Sequence, residues 1–142
     1  MILQRGISLH ALHGEFNINI DNNIIKIAIK GAFNDVGAKA VIEQLVQHIA
    51  TLNNEPFAIL GNLLEFEGGT PEVFAVSDEF NAWLNSKNMV AKALVFTSPA
   101  LIMIEQTFVK SKEGQNIQYF ADEENATAWI NSQFVKSSSK LA

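Results

Sequence analysis

The side chains most able to do chemistry in this chain are three histidines, a few acids and two hydroxyls that precede prolines. His10 and His13 lie three residues apart and His48 lies in a separate helical pattern, whereas a zinc site needs three or four ligands. The chain has no cysteine, which excludes thiolate ligands, cysteine nucleophiles and disulfides. We therefore predict no metal site and no cofactor.

Enzymatic motifs are missing as well. Acyl transfer needs a serine, a histidine base and an orienting acid, but no Gly-x-Ser-x-Gly motif occurs and nothing links a histidine to a particular serine. Gly61, Gly68 and Gly69 do not form a phosphate-binding loop, because no GxGxxG or Gly-Lys-Ser/Thr pattern follows a strand. We interpret Glu65 and Glu67 as solvated acids rather than an acid–base pair. The protein is predicted not to be an enzyme, and an unrecognised hydrolase is the weakest hypothesis.

The predicted topology identifies one place for a site. In open parallel α/β sheets, ligands collect beyond the carboxyl ends of the strands, where the helices begin. Thr70 and Ser98 each precede a proline at a predicted helix start, where unpaired amides and the helix dipole favour negative charge. Each is either a simple helix cap or a contacting or regulated residue. The residues expected at this partner-binding or ligand-binding edge are Asn34, Asp35, Glu65, Phe66, Glu67, Thr70 and Ser98.

The hydrophobic pattern predicts the strands and helices that would position this edge. Residues 16–20 and 25–29 alternate as two strands around the turn residues Asp21-Asn22-Asn23, which predicts an antiparallel hairpin. Residues 57–60 are apolar throughout, which is typical of a buried parallel strand, and residues 90–96 are predicted to form a further strand. Residues 61–69 are predicted to form a loop, and residues 117–120 a last short strand. Helical patterns follow every strand after the hairpin. The order predicts an α/β fold with a mixed sheet of about five strands, an N-terminal hairpin and a parallel remainder, flanked by four helices.

The 142 residues suit one domain, since 48% are hydrophobic and 18% are charged. We place this domain at residues 14–135, after an N-terminal segment 1–13 that we leave unassigned and before a frayed tail at 136–142. Helical periodicity predicts that its core includes Val41, Leu45, Trp83, Leu101, Phe108 and Trp129.

Acidic residues are concentrated in the middle of the chain. The net charge is −5, and the interval between Lys39 and Lys87 has no lysine or arginine. Its acids form either a solvated helix face or a docking face for a basic partner, and they exclude a nucleic-acid role. No apolar run approaches the ~20 residues of a membrane helix, and no signal peptide is apparent, so we expect a cytoplasmic protein without membrane insertion.

Four stretches share their order and spacing with a known family. They are the hairpin leading to Lys30-Gly31-Ala32-Phe33-Asn34, residues 56–60 with the acidic segment that follows, Thr70-Pro71-Glu72, and residues 119–124 with Ala128-Trp129-Ile130. In these, the chain resembles the STAS domain family, the bacterial anti-sigma-factor antagonists, and more closely their SpoIIAA-like, STAS/SEC14-type relatives. The resemblance covers about residues 14–134.

The resemblance implies a domain that acts by binding rather than by catalysis. Antagonists of that family bind an anti-sigma kinase and are switched by phosphorylation of a Ser or Thr within an Asp-Ser-Ser/Thr-Gly motif, at the start of the helix after the third strand. Here the corresponding place is Gly68-Gly69-Thr70-Pro71, so the motif is absent and Thr70 is the hydroxyl that matches the position.

Two functions follow as expectations from this resemblance. The first is a non-enzymatic protein-interaction or regulatory module, and the alternative is a small-ligand or lipid-binding domain of the SEC14-like type. The expected partner is a protein, and the sequence leaves open a basic partner or a second copy of the chain in a homodimer.

Overall fold

Five strands and four helices alternate along residues 14–141, the part of the chain that the computed structural model describes, with side chains described to residue 138. The strands are β1 (Glu15–Asp21), β2 (Ile24–Phe33), β3 (Phe57–Gly69), β4 (Met89–Val95) and β5 (Ile117–Phe120). The helices are α1 (Asp35–Ala50), α2 (Pro71–Leu84), α3 (Pro99–Phe108) and α4 (Glu123–Leu141), and a 3₁₀ turn spans Lys110–Lys112. The segment 1–13 lies outside the described residues.

The strands lie in the sheet in chain order, from β1 to β5. β1 and β2 are antiparallel, and every other neighbouring pair is parallel. The hairpin turns at Asn22 and Asn23, whose φ angles of 53° and 62° lie in the left-handed region that asparagine tolerates. The predicted mixed sheet with an N-terminal hairpin is confirmed.

The helices cover both faces of the sheet. Crossovers between neighbouring parallel strands place α1 and α2 on one face, and α4, which follows the last strand, packs on the other. On the α4 face, Ala126 and Ile130 are fully buried against β4. On the other face, Leu45, Phe80 and Leu84 are buried against β2 and β3.

β3 is longer than the sequence predicted. Residues 61–69, predicted as a loop, form its second half, because β2 has ten residues and β3 pairs with it as far as Phe33 and Gly69. Two register shifts let β3 carry more residues than β2 over this stretch, as β-bulges do. Gly68 has a φ of 102°, which favours glycine, so this glycine serves an irregular strand rather than a loop.

The predicted core is only partly correct. Leu45 is buried, Val41, Trp83, Leu101 and Trp129 are half-buried, and Phe108 is 62% exposed. Phe108 was misplaced because only the beginning of α3 reaches the sheet, where Leu101 packs beside Leu94 and Phe96. The rest of α3 lies against α2 and the 3₁₀ turn, and none of its residues is buried.

α4 continues beyond the predicted domain end at residue 135. It runs to Leu141, so most of the segment predicted as a frayed tail is helical. The reason is that residues 136–141 contain no glycine or proline, and serine and lysine are tolerated in helices.

Candidate functional site

Parallel strands bring three helix starts to the carboxyl edge of the sheet. Asn34, Thr70 and Ser98 follow the ends of β2, β3 and β4. A row of aromatic rings links the same strand ends, because the Phe66 centroid lies 6.2 Å from that of Phe33 and 6.1 Å from that of Phe96. Aromatic contacts therefore connect the ends of the strands that lead into the three helix starts.

The acids at this edge face solvent and are only weakly paired. The Glu65 carboxylate lies 3.6 Å from Lys30 Nζ, and the Asp35 carboxylate lies 3.9 Å from Lys39 Nζ. Exposed pairs of this kind contribute little to stability. Glu67 is exposed as well, so the edge presents negative charge to solvent.

Two of the three helix starts have side-chain caps. Asn34 Oδ1 accepts a hydrogen bond from the Gly37 amide at 2.9 Å. Ser98 Oγ accepts one from the Leu101 amide at 3.3 Å. Both side chains are half-buried and serve their own helices in this way.

Thr70 is the exception among the helix starts. Its hydroxyl makes no cap bond, so the simple helix cap, which was one of the two roles predicted for Thr70, is not formed. The Val73 amide donates instead to the Thr70 backbone carbonyl at 2.9 Å, and Pro71 has no amide hydrogen to offer. The Thr70 side chain is exposed at the beginning of α2.

A buried polar cluster lies between β4 and α2, and the sequence analysis missed it. Lys92 of β4 is 6% exposed, and its Nζ donates a hydrogen bond to Oδ1 of Asn81, which is also buried. Close by, the buried Lys112 pairs with the Glu105 carboxylate. The available signals were a lysine in the middle of an apolar strand and an asparagine on the buried face of α2.

This polar cluster holds two lysine side chains and one carboxylate. Lys112 takes the Glu105 carboxylate, and no carboxylate of the described residues lies within ion-pair distance of Lys92. Burial, followed by repulsion from Lys112, lowers the pKa of the Lys92 ammonium from its ordinary 10.5 to about 7, while Glu105 acts in the raising direction. A strongly perturbed group beside a cavity is a feature of many functional sites.

An apolar cavity of about 160 Å³ adjoins the polar cluster. Its walls come from β2, β3, β4, α1 and α2, and its polar lining includes Lys92, Asn81, Glu105 and Lys112. Gly61 belongs to the wall, where a Cβ atom would lie 3.0 Å from a methyl carbon of Leu94. The cavity therefore combines an apolar interior with a cationic end.

α3 leaves apolar side chains in solvent. Met103 is 67% exposed, Ile104 38% and Phe108 62%. A groove, here called the α2–α3 groove, is lined by Gly69, Pro71, Phe74, Ala75, Ile104 and Phe108. The Phe74 and Phe108 rings lie 6.4 Å apart across it, and exposed apolar surface of this kind marks interaction sites.

The histidines and acids show no metal-binding arrangement in the described part of the chain. His48 is half-buried on α1, with its Nδ1 2.7 Å from the Gln44 carbonyl oxygen, while His10 and His13 lie outside the described residues. Among residues 14–138, no group of three or more histidine, aspartate or glutamate side chains is placed to hold a metal ion. No helix within residues 14–141 has both the length and the apolar character to cross a membrane.

Comparison with known proteins identifies similar sequences and folds. A family model described as SpoIIAA-like matches residues 24–131, and no curated protein gives a significant match. A crystal structure of an uncharacterized protein of the DUF3478 family with a SpoIIAA-like fold, from Shewanella loihica PV-4, is 12% identical with a TM-score of 0.62, over 87% of this chain and 98% of that one.

Two further solved structures are anti-sigma factor antagonists. SpoIIAA in its unphosphorylated form is 13% identical with a TM-score of 0.61, over 82% of this chain and 98% of that one. An antagonist from Mycobacterium paratuberculosis is 12% identical with a TM-score of 0.62, over 84% of this chain and 95% of that one. At these identities the structural likeness establishes the fold.

Proposed function

Since the chain belongs to the SpoIIAA-like family, we propose that it is a regulatory module that acts by binding a protein partner rather than by catalysis. Two similar structures are anti-sigma factor antagonists, which supports a regulatory role for this chain. An acidic domain without cysteine suits the cytoplasm, where we place this activity.

The α2–α3 groove is the observation that carries this proposal. Phe108 and Ile104 project apolar surface into solvent from a helix that buries none of its residues. Burying a large aromatic side chain at an interface stabilises a complex strongly, and such residues are typical binding hot spots. We assign the groove as the surface that a protein partner covers, with Phe108 as its main anchor.

Charge beside the groove supports a basic partner. Glu67 and Glu72 are exposed on either side of the Thr70-Pro71 step that begins α2, and the chain carries a net charge of −5. Complementary charge at the rim of an interface raises the association rate and selects among partners. The partner we propose therefore combines an apolar contact with lysine or arginine residues around it.

Thr70 is the residue we propose for regulation of this surface. Its side chain is exposed, makes no cap bond and directly precedes Pro71, which lines the groove. A phosphate there would add between about −1.5 and −2 charge at the helix N-terminus, next to Glu67 and Glu72. That charge would alter the rim that a basic partner meets, although the Asp-Ser-Ser/Thr-Gly motif is absent.

The remaining residues of the predicted edge have supporting roles in this proposal. Asn34 and Ser98 cap their helices, and Phe66 supports the strand ends through its two ring contacts. Asp35 and Glu65 add negative charge, each beside one exposed lysine.

A lipid-binding role of the SEC14-like type is less well supported than protein binding. The cavity of about 160 Å³ is smaller than the roughly 300 Å³ at which pockets for drug-sized ligands begin. A protein that encloses a lipid also has no need of an exposed apolar groove, so lipid binding does not account for the α2–α3 groove.

The proposal is tested by affinity capture from the native lysate with three baits. These are the wild type, Phe108→Ser, and the matched control Val135→Ser, since Val135 is 66% exposed on α4. We expect a basic protein that the wild type and Val135→Ser retain and Phe108→Ser does not. Equal retention by all baits, or no retained protein, would refute the proposal. A dimer that depends on Phe108 in sedimentation analysis would assign the groove to a second copy instead.

A further inference from the structure

We propose that the cavity beside Lys92 is a binding site for a small apolar monocarboxylate, an aromatic or branched aliphatic acid whose carboxylate pairs with the Lys92 side chain. This inference is separate from the protein-binding role, because the polar end of the cavity at Lys92 and Asn81 does not line the α2–α3 groove, and Phe74 is the residue common to the two linings.

The charges around the cavity favour an anionic group. Lys92 and Lys112 bring two ammonium groups to its polar end, and Glu105 is the one carboxylate that the described residues bring there. Because Glu105 is paired with Lys112, no other carboxylate of the described residues is available to pair with Lys92, and the carboxylate of a ligand could take that place. A buried charge without a counter-ion is costly, and a bound carboxylate would offset that cost.

The hydrogen bonds of Lys92 leave room for such a ligand. An ammonium group has three donors, and in the described part of the chain Nζ uses one of them, toward Asn81 Oδ1. The Asn81 side chain is fixed in turn, because its Nδ2 donates to the Ser77 carbonyl at 2.8 Å. Asn81 therefore holds Nζ in place while other donors remain for the two oxygens of a carboxylate.

The remaining walls of the cavity are mainly apolar and its volume is small, so they favour a small ligand that is apolar apart from its carboxylate. Ile27, Ile59, Leu63 and Phe80 are among the side chains that line it. A cavity of about 150 Å³ with walls of this kind accommodates a molecule the size of benzene. An acid of about nine non-hydrogen atoms, such as benzoate, therefore matches both the volume and the cationic end.

Binding of this ligand would be coupled to the proton on Lys92. A neighbouring carboxylate favours the charged ammonium and raises its pKa, which burial has lowered to about 7. At a pH above 7 the protein would therefore take up a proton when the acid binds. A neutral ligand in the same cavity would cause no such uptake.

The test compares three probes of similar shape, namely benzoate, benzyl alcohol and benzylamine, by calorimetry on the full chain. We expect the wild type to bind benzoate at least about tenfold more tightly than benzyl alcohol, with shifts of the Gly61 and Leu94 amide signals in NMR spectra. Lys92→Met should remove this preference, and Lys136→Met, which changes an exposed lysine on α4, should keep it.

A second measurement on the wild type avoids dependence on the folding of Lys92→Met. Raising the pH from about 6 to about 9 should weaken benzoate binding at least about tenfold, because Lys92 loses its charge, and should leave benzyl alcohol binding unchanged. Equal affinity for acid and alcohol, no benzoate binding at millimolar concentration, or a preference that survives Lys92→Met would overturn the proposal.

Discussion

Lys92 Nζ donates a hydrogen bond to Asn81 Oδ1 and so joins β4 to α2 inside the domain. Both residues are buried, and no carboxylate of the described residues pairs with Lys92. An apolar side chain in this place would avoid the cost of a buried ammonium, so the lysine is unfavourable for stability alone. We attribute its presence to ligand binding.

Lys92 should make stability depend on pH. Its pKa of about 7 in the folded state lies below the ordinary 10.5, so the unfolded chain binds more protons between these values. The free energy of unfolding should therefore rise from pH 7 toward pH 10, by up to about 1.4 kcal/mol per pH unit, and the full penalty applies below pH 7. Lys92→Met should lose this rise and Lys136→Met should keep it, as measured by urea unfolding. Parallel pH profiles for Lys92→Met and the wild type would show that Lys92 is not the cause of the rise in stability.

Alanine substitution should destabilise the protein more at Asn34, which caps its helix, than at Thr70, which does not. Asn34→Ala should lower the free energy of unfolding by about 1 kcal/mol, because it removes the bond to the Gly37 amide. Thr70→Ala should change it by less than about 0.5 kcal/mol, since the hydroxyl makes no cap bond. Thermal or urea unfolding of both variants measures the difference. A loss for Thr70→Ala as large as that for Asn34→Ala would contradict the observed geometry.

Truncating a buried side chain of α4 should lower the free energy of unfolding much more than truncating an exposed side chain of α3. Ile130→Ala should cost about 2–5 kcal/mol, because Ile130 is fully buried against β4. Phe108→Ala should cost less than about 1 kcal/mol, because the ring is 62% exposed. Urea unfolding of the two variants decides this, and similar losses would place Phe108 in the core after all.

Features set by local chemistry were predictable from the sequence. The Asn22-Asn23 turn, the Ser98-Pro99 helix start and the apolar strand at 57–60 depend on short stretches of chain, and all three are present as predicted. The fold followed from the order of these elements, since alternating strands and helices have few ways to pack.

Features set by distant partners were not predictable in this way. β3 continues through residues 61–69 only because β2 lies beside it, and the glycines there resemble a loop when no partner is known. Phe108 follows the helical period of Leu101 and Ile104, but periodicity does not show whether a neighbouring element covers that face. Lys92 and Asn81 lie on different elements, and the sequence does not show that they meet, so the cavity site became visible only in three dimensions.

The most direct test of the proposed function is a calorimetric titration of the captured partner against the wild type, Phe108→Ser and Val135→Ser. Because Phe108 is the proposed anchor of the α2–α3 groove, we predict that Phe108→Ser weakens binding at least about tenfold, or about 1.4 kcal/mol. Val135→Ser, on α4, should stay within about threefold of the wild type. Equal affinities for the wild type and Phe108→Ser, with both proteins folded, would contradict the assignment of this groove as the partner-binding surface.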